Sequence, residues 1–145
     1  MRILYGVVGE GLGHATRSRV ILEHLLDAGH EVRVVVSGKA HRFLSQRLAA
    51  RGNLTIHEIQ GLHFEMDEGG IDLLETVLGN LELAPMRLRR NLRVYREVAE
   101  DGFSPEVVLS DFESWAYLYA RNHRIPVVSI DNMQILGRCD HEAVL

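Results

Sequence analysis

Apolar residues along this 145-residue chain alternate between two patterns: short unbroken runs, and segments where they recur once per helical turn. Arg2 to Val8 is an apolar run of strand length, as expected for a central parallel strand buried on both faces. Ile21, Leu22, Leu25 and Leu26 then form a helical stripe that Gly29 ends. Glu31 to Val36 reads as a valine-rich second strand. Ser37-Gly38 turns the chain into a second helix, with Phe43, Leu44 and Leu48 on one side and Gly52 as its stop. Leu54 to Ile59 is a third strand, and Gln60 to Gly70, which has no period, a surface loop. From Ile71 to Gly102 the pattern is helical but interrupted at Pro85, which opens a second helix more readily than it continues a first. Glu106 to Leu109 gives a fourth strand, Phe112 to Asn122 a helix and Pro126 to Ile130 a fifth strand.

Strands that alternate with helices at this spacing predict an α/β class domain, Rossmann-like and three-layered, with a parallel sheet in the order 3-2-1-4-5. In that order the winding reverses between the first and fourth strands, and ligands sit outside the carboxyl ends at the reversal. Two segments meet there, the glycine loop Gly9 to His14 and the turn Ser110-Asp111-Phe112-Glu113, with Asp131-Asn132 leaving the next strand alongside.

Length and a 46% hydrophobic content fit one domain over residues 1–145. A net charge of −4 leaves no dominant basic surface, so nucleic acid is not an expected partner. Cys139 is the single cysteine, which excludes an intramolecular disulfide and favours a reducing, cytoplasmic setting. No signal peptide or membrane span is expected.

Three closely spaced glycines, Gly9, Gly11 and Gly13, let the backbone turn sharply and approach a ligand, and the helix that follows directs its first N–H groups at the loop. His14 stands where a nucleotide-binding loop would often carry another glycine, which brings in chemistry as well as binding. A G-x-G-x-x-G fingerprint fails, because its last position falls on His14 from Gly9 and on Thr16 from Gly11. Ser37-Gly38, not an acidic residue, follows the second strand, so a nicotinamide dinucleotide is disfavoured. No glycine-lysine-serine or glycine-lysine-threonine occurs, which excludes a P-loop. His57, His63, Glu65, Asp67 and Glu68 are not spaced as a known ligand motif, so no metal site is expected.

The stretch Gly9-Glu10-Gly11-Leu12-Gly13-His14-Ala15-Thr16-Arg17-Ser18, with Gly29-His30-Glu31-Val32 and Val108-Leu109-Ser110-Asp111, resembles the N-terminal half of GT-B glycosyltransferases. The similarity lies near the peptidoglycan N-acetylglucosaminyl transferase and UDP-glycosyltransferase groups and spans nearly the whole chain. It implies transfer of a hexosyl group from a nucleotide-sugar, UDP-linked, to the hydroxyl of a sugar or lipid-linked acceptor, with no resident cofactor. In such enzymes the N-terminal domain chiefly holds the acceptor and a second Rossmann-like domain the donor. The donor motif has no counterpart here. The expected partner is therefore a C-terminal donor-binding domain or a partner subunit, and the chain alone is expected to be inactive, a truncated piece of such an enzyme before one subunit of a split one.

Glycosyl transfer needs a base for the acceptor proton, a task that histidine suits near neutral pH, and a carboxylate on the other ring nitrogen fixes the tautomer. The resemblance puts His14 in the place of the base and Asp111 in that of its orienting group. Gly9, Gly11, Leu12, Gly13, Thr16, Glu113, Asp131 and Asn132 are the expected substrate contacts. In the peptidoglycan relatives the glycine loop instead lies against the donor diphosphate, a part that N–H groups from Gly11 to Ala15 could play. The structural alternatives are a local hydrogen bond for His14 and a helix cap for Asp111. Trp115 and Tyr117 are expected in the core, with Trp115 alternatively bordering a sugar. Arg87, Arg89, Arg90, Arg93 and Arg96 with Leu88, Leu92 and Tyr95 form a basic amphipathic helix. Its arginines fit either a peripheral contact with the inner face of a membrane or a solvated face with the ion pairs Arg93 to Glu97 and Arg96 to Glu100. Two other classes stay open: a non-catalytic scaffold module that recruits a donor-binding partner, and a stand-alone nucleotide or phosphate binder.

Overall fold

The computed structural model describes residues 1–9, 11–61, 66–67, 70–71 and 84–130. Strand β1 (Arg2–Val7) leads into helix α1 (Leu12–Asp27), and β2 (Glu31–Val36) into α2 (Gly38–Leu48), followed by β3 (Leu54–Glu58). Two-residue strands β4 (Met66–Asp67) and β5 (Gly70–Ile71) come next, then α3 (Ala84–Glu97), a short 3-10 turn (Glu100–Gly102), β6 (Val107–Asp111), α4 (Ser114–His123) and β7 (Val127–Ser129). The main sheet has the order β3-β2-β1-β6-β7, and each adjacent pair in it is parallel. This is the Rossmann-like α/β fold and the strand order read from the sequence.

Why both sheet faces are buried follows from the strand sequences. Alternate residues point to opposite faces, and in β1 and β2 both sets are apolar. Ile3, Tyr5, Val7, Val32, Val34 and Val36 pack with Leu22 and Leu26 of α1 and Leu44 and Leu48 of α2. Leu4, Val35 and Val108 pack on the other face with Val94 and Val98 at α3 and Ala116, Tyr119 and Ala120 of α4.

Several boundaries differ from the sequence reading. Ile71 does not begin a helix but pairs antiparallel with Met66, inside a segment expected to be loop up to Gly70. Pro85 is the second residue of α3, where a missing N–H costs nothing, as expected. The fourth strand runs on to Asp111, and α4 starts at Ser114 instead of Phe112. Phe112 adopts φ 55°, and the side chain of Glu113 caps the helix by accepting the Ala116 N–H. Tyr117 is exposed, contrary to its expected place in the core, and Trp115 is half-buried. Cys139, Asp131 and Asn132 lie outside the described residues. Among those described, no helix is long and apolar enough to cross a membrane.

Candidate active site

The sheet register brings the site together. Val7 at the end of β1 pairs with Asp111 at the end of β6, and the Val8 N–H donates to the Asp111 carbonyl at 3.0 Å. The carboxylate of Asp111 therefore stands at the mouth of the loop that leaves β1. It is fully buried, while the His14 side chain is 32% exposed. His14 Nδ1 lies 2.7 Å from Asp111 Oδ1, a contact that joins residues 97 positions apart. An ionised carboxylate only accepts hydrogen bonds, so this contact calls for the proton on Nδ1, and a neutral ring donating in this way keeps its lone pair on Nε2.

Two further residues of α1 reach the same carboxylate. Ser18 Oγ donates to Oδ2 at 2.9 Å. Arg17 donates from Nε to Oδ2 at 3.3 Å and from Nη2 to Oδ1 through a short contact, and Nη2 also reaches the Ile130 carbonyl at 3.1 Å. His14, Arg17 and Ser18 share one helix face because they stand three and four residues apart. Tyr5, buried under the sheet end, donates to Ser18 Oγ at 3.2 Å, and burial pushes its hydroxyl up to about 12. Neither Arg17, Ser18 nor Tyr5 was assigned a role from sequence. The signal was present in the spacing His14-x-x-Arg17-Ser18, and it became readable only once Asp111 was known to face that side of α1.

The glycines have separate reasons. A Cβ on Gly9 would lie 2.6 Å from the Ser37 backbone, so the loop can cross the β2–α2 turn only with glycine there. Gly11 has φ +79° at the N-cap of α1, whereas a Cβ on Gly13 would meet nothing within 4 Å. Leu12 is exposed beside them. Thr16 turns its hydroxyl back onto its own helix, donating to the Leu12 and Gly13 carbonyls at 2.8 and 2.9 Å.

Across the loop, Phe112 sets its ring edge-on to His14 with centroids 5.5 Å apart. A bulky residue at φ 55° carries backbone strain, which is tolerated where the surrounding structure fixes it. Glu113 is buried behind Phe112, and desolvation raises its carboxyl above the ordinary range against the N–H groups of Ala116 and Trp115. Ser110, Phe112, Glu113, Ser114, Tyr117, Val127 and Ser129 line a cavity of about 540 Å³ beside this turn. The structure thus joins His14 to Asp111, and places Glu113 at a helix cap that also borders the cavity. On α3, Arg93 pairs with Glu97 at 3.4 Å as spaced, Arg90 turns to Glu58, and Leu88 and Leu92 stay exposed. Among the described residues no group of His, Cys, Asp and Glu is arranged to hold a metal ion.

The family model for glycosyl transferase family 1 matches residues 1–145. An uncharacterized glycosyltransferase of Methanosarcina acetivorans is 35% identical over 132 residues, covering 90% of this chain and 31% of the relative. One from Methanosarcina mazei is 32% identical over 133 residues, covering 91% and 33%. The chain thus spans about a third of the length of these relatives. Among solved structures, Arabidopsis thaliana UGT89C1 complexed with UDP aligns with a TM-score of 0.59 at 17% identity, covering 99% of this chain and 40% of that one. CalG4, the calicheamicin glycosyltransferase, aligns with a TM-score of 0.51 at 18% identity, covering 89% and 32%. With a matching family model, glycosyltransferase relatives and the Rossmann-like sheet of GT-B enzymes, the chain belongs to glycosyl transferase family 1.

Proposed function

We propose that this chain is the acceptor-side domain of a nucleotide-sugar-dependent glycosyltransferase, with His14 as the base and Asp111 as its orienting group. The acceptor hydroxyl oxygen bonds to the anomeric carbon of a hexosyl donor as the bond from that carbon to the phosphate oxygen breaks, and the nucleoside diphosphate leaves. His14 Nε2 takes the hydroxyl proton, and Asp111 stabilises the imidazolium that forms. A single displacement of this kind inverts the anomeric centre. The donor, UDP-linked, is held mainly by a second domain or a partner subunit. Backbone N–H groups at the start of α1 face its diphosphate across the cleft. Glu113, Leu12, Asp131 and Asn132 are assigned in this reading to the binding of the acceptor.

One observation carries this reading: a half-exposed imidazole bonded through Nδ1, at 2.7 Å, to a fully buried carboxylate at the carboxyl rim of a parallel sheet. In the full-length transferase, His14→Ala should lower kcat by roughly 10² to 10⁴, the span of general base catalysis, and leave acceptor KM close to that of the wild type. Unchanged turnover would remove the base assignment.

A further inference from the structure

The Asp111 side chain is fully buried, and a buried carboxylate needs a counter-charge as well as hydrogen bonds. Were His14 its sole charged neighbour, that counter-charge would be the imidazolium, which has no lone pair with which to take an acceptor proton. Arg17 changes the balance. Its guanidinium is permanently charged and meets both carboxylate oxygens, Nη2 on Oδ1 and Nε on Oδ2, while Nη2 is also tied to the end of β7 through the Ile130 carbonyl. Nη2 also stands 3.2 Å from His14 Nδ1, and with the ring proton on Nδ1 two N–H groups converge side by side on one oxygen. Among the described residues, the charged side chains against the His14 ring are Asp111 from β6 and Arg17 from its own helix, and Phe112 adds a neutral ring edge.

We propose that Arg17 is a positioning residue of this site: it balances the buried charge of Asp111, so that the carboxylate orients the His14 imidazole without holding it as an imidazolium. The proposal rests on the reading of His14 as the base. A serine or glutamine at position 17 could still bond to Asp111, but only a cation performs this balancing.

The test follows the His14 ring by NMR titration of this chain, and kcat/KM against pH in the full-length enzyme. Arg17→Gln keeps N–H donors and drops the charge. His14 should then titrate higher than in the wild type, the acidic limb should move up with it, and turnover lost at neutral pH should return in alkali. Arg17→Lys restores the cation and should bring the midpoint back. If Arg17→Gln unfolds because the carboxylate is stranded, the same change in an Asp111→Asn background strands no charge, and His14 should again titrate higher than in Asp111→Asn alone. An unmoved midpoint in the folded Gln variant, or a Lys variant that titrates as high as Gln, overturns the proposal. The base assignment fails separately: it ends if His14→Ala keeps full turnover, whatever Arg17 does.

Discussion

Two residues far apart in sequence, His14 and Asp111, were readable as partners because each stands at the end of a recognisable strand-to-helix turn. Their spatial contact needed only the sheet order. Arg17, Ser18 and Tyr5 were not readable in this way, since a polar residue inside a helix or strand announces no partner until the opposite wall is known. The Tyr5, Ser18 and Asp111 chain is itself testable. Ser18→Ala removes a hydroxyl that bonds two buried groups, and should cost about 1 to 3 kcal/mol in urea unfolding because both are left wanting. Adding Tyr5→Phe should cost less in that background than in the wild type, since the tyrosine hydroxyl has already lost its acceptor. Strict additivity would show that the chain is not coupled. Gly9→Ala should also destabilise, by about 1 to 3 kcal/mol, because its methyl would meet the Ser37 backbone, a neighbour that cannot rotate away. A Gly9→Ala variant as stable as the wild type would contradict that close approach.

At the scale of elements, the periodic signal gave strands and helices but not the residues that switch one into the next. The turn after β6 shows why. A strand that continues to Asp111 and a helix capped by Glu113 leave Phe112 as the hinge, in a conformation that no propensity favours for phenylalanine. Because burial raises the Glu113 carboxyl, its contribution to stability is present below the ordinary carboxylate range and lost as pH rises through the raised value. Glu113→Gln keeps an oxygen for the Ala116 N–H and buries no charge. It should therefore match the wild type in acid and exceed it in unfolding midpoint at neutral pH; a Gln variant less stable at neutral pH would contradict this. The seam between β3 and α3 behaves in the opposite sense. His57 is held below the ordinary histidine value, first by burial and then by the Arg33 charge, against the pull of Glu97. The unfolded chain takes up this proton near pH 6.5 and the folded chain only at lower pH. Stability is therefore complete above that point and declines as pH falls through it. His57→Phe should flatten this part of the urea midpoint against pH, and an equally steep profile in the variant would assign the loss elsewhere.

For the whole molecule, the order of the sheet was legible as one of the few windings that parallel strands joined by right-handed helical crossovers allow. That winding sets the site: it brings the ends of β1 and β6 together, and with them a loop and a turn whose meeting no local pattern encodes. The extent of the cavity beside the turn after β6 was not readable in the same way, because loop shape depends on packing that periodicity does not describe. What the winding must achieve, if the proposed function holds, is an imidazole whose Nε2 is open to an incoming hydroxyl. The nitrogen shifts of the His14 ring report this directly, in the chain as it stands, with the signal assigned among eight histidines by a His14→Gln variant. Above the range where histidine titrates, the wild type should show the single tautomer protonated at Nδ1, and Asp111→Asn should lose that preference. A wild-type ring protonated at Nε2, or divided evenly between the two nitrogens, would contradict the account.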